Sequence, residues 1–71
     1  MKQGRIVMMD RKHGFGFIRT KGQKDVFFLL SDTSIPERML HVGCKVNYTI
    51  KDNFRLGRLE KKAVHLQLVM G

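Results

Sequence analysis

Residues 13–31, HGFGFIRTKGQKDVFFLLS, decide how the chain folds. Phe15, Phe17 and Arg19 alternate with Gly16, Ile18 and Thr20, and after a break Asp25, Phe27 and Leu29 alternate with Val26, Phe28 and Leu30. Successive residues of a strand point to opposite faces, so each set occupies one side of a sheet. Lys21-Gly22-Gln23-Lys24 reads as the turn between two strands, with Gly22 free to take a positive φ. Paired as a hairpin, the strands gather Phe15, Phe17, Phe27 and Leu29 on one side and Ile18, Val26 and Phe28 on the other. Both sides are then apolar. One has to pack the core. The other is a second core layer or an exposed platform on which something flat stacks. Single-stranded nucleic acid suits such a platform, because every base has a π-face and each stack is worth roughly 1–3 kcal/mol.

Working outward, residues 4–10, GRIVMMD, form a first strand in which strict alternation would put Ile6 and Met8 on one face. The segment 31–44 has no strand pattern. Ser31 and Asp32 suit the start of a single helical turn, and Pro36 discourages a longer helix. In 45–50 the alternation is cleanest: Val46, Tyr48 and Ile50 face in while Lys45, Asn47 and Thr49 face water. Residues 51–57, KDNFRLG, read as a connecting loop. In the last strand Val64, Leu66 and Leu68 alternate with Ala63, His65 and Gln67. The expected strands are therefore 4–10, 15–20, 25–30, 45–51 and 58–68. The expected core is Ile6, Ile18, Val26, Phe28, Val46, Tyr48, Ile50 and Val64. Closure of such a set into a barrel leaves few free edges.

Seventy-one residues make one small domain, taken as 1–71, with a net charge of +8. That excess favours a polyanionic partner. Cys44 is the single cysteine and cannot form an internal disulfide, which fits a reducing cytoplasm. No apolar run is long enough to span a membrane as a helix, and the start lacks the apolar segment of a secretory signal. His13, His41 and His65 show no metal-ligand spacing, Cys44 has no paired histidine in a recognised pattern, and no helix follows Gly14 and Gly16 to make a phosphate loop. No enzyme activity, cofactor or metal is expected.

Three segments carry a family resemblance. Residues 12–18, KHGFGFI, look like the first RNP motif of the bacterial cold-shock proteins, usually KGFGFI. Residues 25–31, DVFFLLS, look like their second motif, usually DVFVHFS, and residues 4–10 resemble their opening GKVKWFN. The likeness covers nearly the whole chain with nearly unbroken spacing. It implies an all-β, five-stranded antiparallel OB-fold barrel that binds single-stranded RNA or DNA with its aromatic face. It also puts Ile6 and Met9 in the core and Met8 where the family keeps a surface Trp. A bulge between Ile6 and Met9 reconciles this with the alternation.

The expected stacking residues are Phe15, Phe17 and Phe27. Arg5, Lys12, Arg19, Lys21, Arg38, Arg55 and Arg58 are available to neutralise phosphates. The departures from the family pattern fall on the same surface. Met8 replaces Trp, His13 replaces the Lys that opens the first motif, and Leu29 and Leu30 replace His and Phe. Met and Leu pack against a base but offer no π-face, so stacking should weaken. The charge moves the other way, since cold-shock proteins of this size are commonly acidic or near neutral. Phe54 and Arg38 are placed to supply part of what is lost. An RNA-chaperone or gene-regulatory role follows from the resemblance. The competing reading is a protein-interaction or homodimerisation module that has lost nucleic-acid binding, with Met8, Phe15, Phe27, Leu29 and Leu30 as its apolar patch.

Overall fold

A computed structural model describes residues 1–69, with the side chain of Arg55 outside the described set. Five strands, β1 (Lys2–Asp10), β2 (Phe15–Arg19), β3 (Val26–Leu29), β4 (Lys45–Arg55) and β5 (Arg58–Leu68), close into a barrel in the order β1-β2-β3-β5-β4. Two single 3-10 turns, Leu30–Asp32 and Glu37–Met39, interrupt the segment between β3 and β4. These are the longest helical pieces among the described residues.

The barrel is not wholly antiparallel, as the sequence suggested. β3 and β5 run parallel, in register at Phe27 and Lys62. A parallel pair needs a crossover of a dozen or more residues, and the segment between Leu29 and Arg58 supplies it. The other four pairs are antiparallel.

Ile6, Ile18, Val26, Phe28, Val46 and Tyr48 are buried as expected. The Tyr48 hydroxyl, deep in the barrel, hydrogen-bonds the Thr20 hydroxyl, so the core tyrosine is not left with an unsatisfied polar group. In β1 the register slips between Ile6 and Met8, which makes Val7 the extra residue of a bulge. Met8 then stands opposite Phe17, and Met9 packs against the core.

Gly16 is buried, opposite Met9 on one side and Phe28 on the other. A Cβ there would lie 2.6 Å from the Met8 carbonyl oxygen and 2.8 Å from the Phe28 ring. The glycine between the two platform aromatics thus makes room for the core ring and the β1 backbone, and not for a base.

Other expectations fail in β4, β5 and the segment before β4. Residues 51–55 are strand and not loop: β4 and β5 pair residue by residue out to Arg55 and Arg58. The turn is only Leu56-Gly57, both at positive φ (51° and 73°), the signature of a two-residue type I′ hairpin. In β5 the alternation breaks at His65, whose φ is 55°. There the register slips between Asn47 and Thr49, so one extra β5 residue is accommodated. Ala63 and Leu66 therefore enter the core, three apart, and Val64 is only half-buried. Ile50 is also only half-buried. Finally, Leu40, in the segment without a strand pattern, is fully buried. Arg11 fixes that segment by donating to the carbonyl oxygens of Glu37 (3.1 Å) and Leu40 and by pairing with the Glu37 carboxylate at 3.4 Å.

Candidate nucleic-acid interface

The β2–β3 register sets Phe15 opposite Leu29 and Phe17 opposite Phe27. All four are half-buried and, with His13 and Glu60, line one open concavity of about 500 Å³. The Phe15 and Phe17 ring centroids are 5.9 Å apart with the planes at 87°, an edge-to-face pair. A base lying flat on one ring therefore meets the other ring edge-on, and bases on both are splayed unless a ring turns.

The register continues the aromatic row in both directions. Met8 on β1 abuts Phe17, Phe17 abuts Phe27, and Lys62 on β5 abuts Phe27. Lys62 extends its ammonium to Asp32 at 2.8 Å and keeps only 15% of its side chain exposed. No sequence signal marked Lys62, because it joins the row through the parallel pairing of strands distant in the chain.

The expected cations divide into groups. Arg5, Arg19 and Lys21 line a second shallow groove with Val7 and with Lys45, which was not among the expected cations. Arg19 is engaged: its Nε and Nη2 donate to the two carboxylate oxygens of Asp25 at 2.9 and 3.0 Å. This fork holds the Asp25 carboxyl below its ordinary pKa, chiefly by hydrogen bonding. Arg5 donates to the Gly43 carbonyl at 3.2 Å and stays exposed. Lys12 and Arg38 are exposed, in the β1–β2 turn and the second 3-10 turn, and Arg58 is exposed at the start of β5. The Arg55 side chain lies outside the described residues.

His13 is tied to the end of β1. Its backbone N–H donates to Asp10 at 3.0 Å, and its ring Nδ1 lies 2.8 Å from the other oxygen of the same carboxylate. These contacts hold the Asp10 carboxyl below its ordinary value, the side-chain hydrogen bond first. Of the remaining expected residues, Leu30 packs against the core from the first 3-10 turn and does not extend the platform, a correction to its expected place. Phe54 is 75% exposed near the tip of the β4–β5 hairpin, outside the aromatic concavity.

Among the described residues no group of three or more metal-ligating side chains occurs, and no helix is long and apolar enough to cross a membrane. Cys44 is a half-buried free thiol whose Sγ lies 3.5 Å from the Met39 carbonyl oxygen.

A small closed barrel of this strand order, with an aromatic row across β2 and β3, defines an OB-type module. The chain belongs to the 'Cold-shock' DNA-binding domain family, whose model matches residues 2–68. That is a family of nucleic-acid-binding domains and not of enzymes. A search of the curated proteins found no match.

Proposed function

We propose that the chain is a cytoplasmic, non-enzymatic binder of single-stranded RNA or DNA, working as one cold-shock-type domain. Bases stack on Phe15, Phe17 and Phe27, and the phosphates run along the cationic border. One observation carries this reading: three phenylalanines from two paired strands share one open concavity, although the core beneath is already filled by Ile18, Val26 and Phe28. The net charge of +8 supplies the long-range attraction. Arg5, Lys21 and Lys45, beside the Arg19–Asp25 fork, are the side chains we assign to phosphates, with Lys12 at the other end. An RNA-chaperone or gene-regulatory role is the physiological form of such sequence-tolerant binding.

Titration of a labelled single-stranded oligonucleotide at several salt concentrations tests the reading. Single strands release counterions with a slope of about −0.7 per phosphate neutralised, so four contacts give a log–log slope near −3. A slope near zero at measurable affinity points to apolar association, and absence of binding at low salt overturns the proposal in favour of a protein-interaction surface.

A further inference from the structure

The chain has six acidic side chains. Five are in ion pairs: Asp10 with His13, Asp25 with Arg19, Asp32 with Lys62, Glu37 with Arg11 and Asp52 with Lys61. Glu60 has no ion-pair or hydrogen-bond partner among the described residues, and it is the one carboxylate lining the Phe15, Phe17 and Phe27 concavity. β5 carries it there. Glu60 stands two residues before Lys62, hence on the same face of the strand, and Lys62 is in register with Phe27. The side chain is half-buried, so its position is limited by its neighbours.

A carboxylate in a groove for nucleic acid is unfavourable for phosphates and favourable for one kind of base edge. Repulsion directs the strand's backbone away from Glu60, toward the groove of Arg5, Lys21 and Lys45. The bases are then on the Glu60 side. An ionised carboxylate only accepts hydrogen bonds, through two adjacent oxygens. Guanine matches it with two adjacent donors, N1–H and the N2 amino group. Cytosine and adenine offer a single amino group next to a ring acceptor. Uracil and thymine offer one N–H flanked by two carbonyl oxygens, which the carboxylate repels.

We infer that Glu60 is a base-reading residue that selects guanine over uracil and thymine in the aromatic concavity. The inference rests on the single-strand reading above. A two-donor contact of this kind discriminates by about tenfold.

The test uses the full chain and short oligothymidines carrying one central guanine, adenine, cytosine or thymine, a single guanine being unable to form a quadruplex. The guanine oligonucleotide should bind about tenfold tighter than all-thymine. Glu60→Gln, nearly isosteric but with an amide donor in place of one acceptor, should abolish most of that preference. Glu60→Ala should do the same and should tighten all-thymine binding by removing a negative charge from the groove. Equal wild-type binding of guanine and thymine oligonucleotides, or a guanine preference that survives both substitutions, overturns the assignment while leaving the single-strand reading intact. Failure of the wild type to bind any oligonucleotide overturns that reading and this inference with it.

Discussion

Two parts of the barrel expose phenylalanine, and they do so in opposite ways. On the β1–β3 face, Phe17 has a neighbour on each side, Met8 and Phe27, and Phe15 braces it at 5.9 Å. These rings are half-buried before any ligand arrives. At the far end of the β4–β5 hairpin, Phe54 is opposite only Leu59, and Phe54, Leu56 and Leu59 are 75%, 90% and 59% exposed. A ring held by neighbours on two strands has already lost most of its rotamer freedom, so little ordering cost remains on binding. A ring on a two-stranded tip still has that cost ahead of it. The difference separates a preformed platform from an exposed apolar tip.

The comparison can be broken first at the layer beneath the platform. Phe28→Ala removes a fully buried ring and should cost roughly 3–5 kcal/mol in chemical denaturation. In a domain this small that approaches the whole stability. If Phe28→Ala is tolerated while Phe17→Ala unfolds the chain, the two faces of β2 and β3 have been exchanged. Next comes binding: Phe17→Ala should weaken oligonucleotide affinity by roughly 1–3 kcal/mol with the fold retained, whereas Phe54→Ala should change it by less than about 0.5 kcal/mol. Equal losses at both positions would make the tip part of the site. The smallest effect lies at the turn. Leu56 adopts a left-handed conformation that Asn accepts more readily. Its side chain is exposed, so Leu56→Asn should raise stability by about 0.5–1 kcal/mol, read as a shift in denaturation midpoint. A loss instead would show that Leu56 makes contacts worth more than the strain.

The same comparison separates what the sequence makes legible from what it hides. The two strands in residues 13–31 read correctly to within a residue at their ends because their information is local: strict alternation, a Gly-centred turn, and motifs of fixed spacing. The β1 bulge was legible only through the resemblance, which put Ile6 and Met9 in the core where the alternation alone put Ile6 and Met8 on one face. The β4–β5 hairpin was not. Asp52, Asn53 and Gly57 are turn-formers by composition, yet pairing with residues 58–61 holds 51–55 in the strand. His65 carries no residue-type signal for a bulge, although its positive φ reverses which β5 residues enter the core. Leu40 has no periodic neighbours to reveal it and is placed by Arg11 from across the chain. Lys62 and Glu60 reach the aromatic face only through the β3–β5 pairing, which no local pattern encodes. Leu30 packs against the core, on the side where the alternation set it with Val26 and Phe28, and not on the stacking face that the resemblance implied.

That single parallel pairing also sets an order of events in folding. β1, β2 and β3 form an antiparallel meander joined by short turns, so their contacts span little chain and form at low loop-closure cost. β5 can dock on β3 only after the 28 residues between Leu29 and Arg58 have looped back, a non-local step like the pairing of β1 with β4. During synthesis β5 leaves the ribosome last of the five strands, so until then the nascent chain presents Phe15, Phe17 and Phe27 on an unclosed sheet with the β3 edge bare. A single strand of nucleic acid that needs the β5 side of the concavity would favour the closed state by mass action, acting as a ligand for folding as well as for the folded protein.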